Sequence, residues 1–101
     1  MDYRMIKSPS RGTLEIITKR MGLNQTTKEI DFKQFDAIGL IQGKLIDMVC
    51  AADMAEKAAG IVAVDVRGSC PQNMILLALF GDTASVETAI EDIKQKMKKR
   101  G

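Results

Sequence analysis

Two apolar runs, "IVAVDV" (61–66) and "NMILLALF" (73–80), stand on either side of the short loop "RGSCPQ". This pairing constrains the fold more than any other feature of the chain. Short aliphatic runs bounded by glycine and proline have the length and composition of buried strands. A connection of this length joins them as an antiparallel hairpin. A hairpin needs no sulfur at its tip, yet Cys70 sits there with Pro71 directly behind it.

The rest of the chain arranges itself around that hairpin. "DAIGLIQG" (36–43) reads as a buried strand, with Gly39 where a side chain would be in the way. From Leu45 to Ala59 the period becomes helical. Leu45, Met48, Val49, Ala52, Ala55 and Ala59 fall on one stripe, and Gly60 follows in the position of a C-terminal cap. Asp82 is placed to cap a second helix whose Val86, Ile90, Ile93 and Met97 step by four, three and four. "TLEIITKR" (13–20) alternates in part and is expected as a strand. "GLNQTT" (22–27) is turn-like, and "KEIDFKQF" (28–35) is expected as a further short strand.

The order is therefore β–β–α–β–β–α: an α+β domain whose antiparallel sheet carries helices on one face. A ferredoxin-like βαββαβ domain ends in a strand after its second helix. Here the extra strand stands at the front and the chain closes on "KQKMKKRG", the arrangement a circular permutation would produce. Residues 1–12, polar and ending in "SPSRG", are expected as an N-terminal extension, with the domain proper spanning 13–101.

Composition removes several function classes. At 101 residues the chain makes one domain. Its only aromatics are Tyr3, Phe32, Phe35 and Phe80, so the core must be built from Ile, Leu, Val, Met and Ala. A net charge of +2 gives no ground for nucleic-acid binding. The longest clean apolar run, Met74 to Phe80, is far short of the ~20 residues of a membrane span, and the N-terminus lacks the apolar core of a signal peptide. A cytoplasmic location is expected. The absence of histidine removes Ser-His-Asp and Cys-His catalysis and most zinc sites.

The chemistry-bearing residues are few. A structural disulfide between Cys50 and Cys70 is not expected in a reducing cytosol. Cys50, mid-helix, reads as a small buried hydrophobe. Cys70 has neighbours that expose the backbone: Gly68 permits close approach and Pro71 presets φ, while Arg67 favours a thiolate. Local chemistry leaves open an unremarkable loop cysteine, a nucleophile or a metal ligand. One thiol is too few for zinc or an iron–sulfur cluster, unless a symmetric oligomer gathers copies of the loop on an axis. Asp47, Asp53, Glu56 and Lys57 read as a solvated helix face. Lys94, Lys96, Lys98, Lys99 and Arg100 suit a helix C-terminus.

Three segments carry a resemblance. "AIGLIQG", "AADMAEKAAGIVAV" and "GSCPQNMILLALFGDTASVETAI" together are similar to the bacterial microcompartment (BMC) shell domain over about residues 36–93. The front strand resembles the circularly permuted, single-domain type. The Gly-Ser-Cys-Pro-Gln loop resembles a subgroup associated with glycyl-radical-enzyme compartments. The resemblance implies a non-enzymatic shell protein: a homo-hexamer that tiles with other shell proteins into a facet around encapsulated enzymes. It implies that the loop Arg67, Gly68, Ser69, Cys70, Pro71, Gln72 and Asn73 lines the axial pore. It places Lys57, with Asp53 nearby, at the hexamer edge, and allows "YRMIK" a pore-capping role. The subgroup implies an iron–sulfur cluster, of the [4Fe–4S] kind, held by Cys70 from several subunits. The alternatives are a small trimeric ligand-binding regulator, for which no phosphate-cradling loop is present, and a shell hexamer with an open metabolite pore and no cluster.

Overall fold

The computed structural model describes residues 1–21, 29–58, 60–67 and 74–100. In chain order these form β1 (Asp2–Lys7), α1 (Arg11–Thr18), a 3-10 turn (Phe32–Gln34), β2 (Ala37–Lys44), α2 (Leu45–Glu56), β3 (Val62–Val66), β4 (Met74–Gly81) and α3 (Thr83–Arg100). The strands make one antiparallel sheet in the order β1–β2–β4–β3. The most continuously apolar strands, β2 and β4, take the centre, where both faces are covered. The charged Asp2, Arg4, Lys7 and Asp65 fall on the outer strands and are exposed. The turn expected at 22–27, Ala59 and the loop positions 68–73 lie outside the described residues.

The α+β class holds, but the order is β–α–β–α–β–β–α, because a helix stands between the first two strands and the first strand is not the expected one. "TLEIITKR" belongs to a helix. The Ser10 hydroxyl accepts from the Thr13 N–H at 3.2 Å and caps its start, and Ile17 is buried on its inner side. The β-branched run Ile16–Ile17–Thr18 favours a strand, but a preference below about 1 kcal/mol yields to a cap and a buried side. The leading strand is Asp2–Lys7, in register with β2 from Asp2 opposite Gln42 to Lys7 opposite Ala37. The segment expected to be an extension thus contributes to the sheet. Its alternation Asp2-Tyr3-Arg4-Met5 is the period-two pattern of a half-buried strand, with Tyr3 and Met5 turned to the core. Over the described part of 28–35, a 3-10 turn replaces the expected strand. Asp31 caps it, accepting from the Lys33 N–H at 3.0 Å.

Helices α2 and α3 cover one face of the sheet, as expected. Ala37, Ile41, Leu77 and Leu79 meet Met48, Ala51, Ala55, Val86, Ile90 and Ile93 there. A Cβ on Gly39 would lie 2.8 Å from Ile90 Cδ1 and 3.0 Å from Val86 Cγ1, so the missing side chain lets α3 settle on β2. The opposite face, which the sequence left bare, is covered by α1 and the 3-10 turn. Ile17, Met21 and Phe32 pack there on Ile38, Val64, Val66, Ala78 and Phe80. Three of the four aromatics meet in this layer, with the Phe32 and Phe35 rings 4.7 and 5.9 Å from Phe80. Gly60 adopts a left-handed φ of 77° on the path from α2 into β3, a conformation few other residues take readily.

Candidate functional site

The residues singled out by sequence lie on α2 and at the root of the β3–β4 connection. α2 is apolar on several sides at once. Its inner side is made of small residues, Ala51 and Ala55 with Met48, all buried against the sheet. Its bulky residues point the other way: Leu45, Ile46 and Val49 are 46%, 73% and 62% exposed. This corrects the single stripe expected for the helix. Met48 and Ala55 face the core and Ala52 is half-buried, but Leu45 and Val49 do not join them. Alanines allow a close approach to the sheet that leucine and valine would prevent, and the rotation that seats them turns the larger side chains outward. Exposed bulky apolar side chains gathered at one end of a helix have the character of a contact surface.

This patch sits at one particular end of the sheet. Lys44 is opposite Met74, so α2 begins beside the start of β4, next to the connection that carries Cys70. Met74 is itself 36% exposed. On the other side of the connection, Arg67 is exposed, and its N–H donates to the Arg20 carbonyl at 2.6 Å. Met21 bridges Val66 alongside, so the end of α1 is tied to the root of the loop. Gly68, Ser69, Cys70, Pro71, Gln72 and Asn73 lie outside the described residues. Cys50 is a free, half-buried thiol on α2. Among the described residues no group of three or more His, Cys, Asp or Glu is placed to hold a metal ion.

At the far end of α2, the Lys57 ammonium lies 2.8 Å from the Asp53 carboxylate, one helical turn back, with Glu56 exposed beside them. Asp47, expected on the solvated face, is half-buried. It adds to the effect of burial in pushing the Tyr3 phenol above its ordinary range, which keeps that ring neutral in the cell. Lys94 stands 5.1 Å over the same ring and ties α3 to β1. Lys94 also pairs with Glu91, and Lys96 with Asp92, so part of the basic end of α3 is neutralised on the helix itself. A groove of about 680 Å3 lies between α1 and the 3-10 turn, floored by Leu14, Met21, Ile30 and Phe32, and touches none of the expected site residues. No helix among the described residues is long and apolar enough to cross a membrane.

The BMC domain family matches residues 37–101, a span that takes in β2, α2, β3, β4 and α3. The chain belongs to this family. It is similar to the GrpU microcompartment shell protein from Clostridiales bacterium 1_7_47FAA, solved ligand-free. That likeness is at 50% identity with a TM-score of 0.74 and covers 97% of this chain and 93% of that one. The ligand-free GrpU microcompartment shell protein from Pectobacterium wasabiae is 29% identical with a TM-score of 0.73, over 92% of this chain and 99% of that one. Comparison with curated proteins finds no match. Both structural likenesses extend over more of the chain than the BMC match does, so they reach into the part that precedes residue 37.

Proposed function

We propose that this BMC-domain protein is a structural, non-catalytic component of a bacterial microcompartment shell. Its copies close into a hexamer, and hexamers tile with other shell proteins around enclosed enzymes. The observation that carries this reading is the exposed apolar start of α2, Leu45, Ile46 and Val49, beside the β3–β4 connection. Packing this face against a different face of the next copy is a head-to-tail contact, and such contacts close into rings when the rotation per copy suits. The other end of α2 is charged and exposed at Lys57 and Asp53, which suits a wetter contact between hexamers. One helix then serves two interfaces. The shell role of the two similar proteins and the precedence of β1, which stands beside β2 in the sheet, support a permuted shell domain.

In this assembly the β3–β4 connections converge on the axis and line the pore with Arg67 to Asn73. Cys70 supplies one thiol per chain, and the ring supplies enough for an iron–sulfur cluster. The donor chemistry fits: thiolates are the ligands such clusters take, and Gly68 and Pro71 suit a loop that must approach an axis. A cubane takes about four thiolates, so six equivalent cysteines must break symmetry or share the cluster at partial occupancy. Bound there, it would supply one-electron chemistry for relay across the shell or for redox sensing.

Iron and acid-labile sulfide, measured on protein purified without air, test the cluster. Brown protein with charge-transfer absorbance that Cys70→Ser abolishes is the expected result. Colourless, iron-free wild type under those conditions removes the cluster and leaves a shell hexamer with an open pore.

A further inference from the structure

Arg20 and Arg67 are backbone neighbours where α1 meets the root of the loop that bears Cys70. Met21 and Val66 form an antiparallel bridge, and the Arg67 N–H donates to the Arg20 carbonyl at 2.6 Å. That register sets the two residues opposite each other through a single backbone bond, since the Arg20 N–H donates instead to the Ile17 carbonyl at 3.0 Å in the turn that ends α1. Both side chains are exposed, and Lys19 adds a third exposed cation next to Arg20. Among the described residues no ion pair reaches either guanidinium. The adjoining segments 22–28 and 68–73 contain no Asp or Glu, so they bring no carboxylate to the pair. Asp65, two residues before Arg67 on β3, is exposed and makes no ion pair with it.

Two like charges on neighbouring exposed backbone positions repel, the more so at low salt. The negative C-terminal end of α1 favours cations such as Lys19 and Arg20, but it gives no reason for Arg67 at the end of a strand. The arrangement is unfavourable when empty and favourable when an anion lies between the two forks. Guanidinium groups match phosphate-like oxyanions with paired, charge-assisted hydrogen bonds, and two of them balance a dianion.

We propose that Arg20 and Arg67 together hold a small dianionic oxyanion of the phosphate class at the root of the Cys70 loop. The site belongs to the single chain. Only its repetition around a pore rests on the hexamer reading above, where a ring of paired arginines would draw anions toward the axis.

Thermal unfolding of the full chain at pH 8, in phosphate against chloride at matched ionic strength, tests the site. Saturating phosphate is expected to raise the wild-type Tm by several degrees. Arg20→Gln and Arg67→Gln should each lose most of that shift, while Lys19→Gln keeps it. In low salt without phosphate, neither arginine variant should melt below wild type, since each relieves a repulsion. A phosphate shift equal in wild type and both arginine variants, or no shift beyond chloride, overturns the site. Native mass reads the assembly separately, so the two readings fail independently.

Discussion

Lys57 and Asp53 stand one turn apart on α2, ammonium to carboxylate at 2.8 Å, with side chains 75% and 63% exposed. An exposed pair of this kind contributes only about 0.3–0.5 kcal/mol to a helix. Its position therefore matters more for what meets the outside of the helix than for folding. Lys57→Ala is expected to leave the thermal midpoint almost unchanged while preventing extended sheets, as seen by electron microscopy of concentrated protein. Normal sheets from this variant would remove Lys57 from the edge.

The apolar start of α2 behaves in the opposite way. Leu45→Glu and Val49→Glu put charge on side chains that are 46% and 62% exposed in the single chain, so helix content by circular dichroism should be preserved. If this face is buried between copies, each variant should shift the native mass toward the monomer, because an unpaired buried charge costs several kcal/mol. Variants that keep the wild-type mass would place the interface elsewhere.

The cap of α3 carries a pH dependence. The Ser85 N–H donates to Asp82 at 2.8 Å and the Ser85 hydroxyl at 3.0 Å, which lowers the Asp82 pKa, with the backbone bond the larger cause. Folded protein therefore binds this proton less readily than unfolded chain. The stabilisation is present above the unfolded carboxylate pKa of about 4 and is lost as pH falls through the lower folded value. Asp82→Ala should melt below wild type at pH 7, with the difference closing in thermal scans as pH falls below about 4.

The layer made by α1 and the 3-10 turn is tested by Phe32, which is 7% exposed and packs edge-on to Phe80. Phe32→Ala should cost about 3–5 kcal/mol in urea unfolding. On the opposite face, Gly39→Val should cost about 1–3 kcal/mol, because its side chain meets Ile90 and Val86. A Phe32→Ala variant as stable as wild type would mean that α1 and the turn rest loosely on the sheet.

What the sequence made legible follows from how each signal arises. β2, β4 and α3 were readable because an unbroken apolar run and a three-and-four spacing each have one physical interpretation. Residues 13–20 were misread because Ile16, Ile17 and Thr18 carry strand preference while Ser10, which decides for a helix, lies outside the apolar run. β1 was missed for the converse reason: alternating charges that look like a polar tail are the outer side of an edge strand. On α2, spacing alone cannot say which of two apolar sides faces the core. Ala51 and Ala55 decide it by size, and a preference for small residues at close packing was the available signal. Arg20 had no sequence signal at all, since only the Met21–Val66 bridge brings it to Arg67.

The most direct measurement is the native mass of the wild-type chain purified without air, with iron and sulfide determined on the same sample. Six copies of the 11.1 kDa chain, or sheets built from sixes, are the expected result, with iron and sulfide in them if Cys70 holds a cluster. A monomer or a trimer at working concentration would contradict a shell tile built through the exposed face of α2.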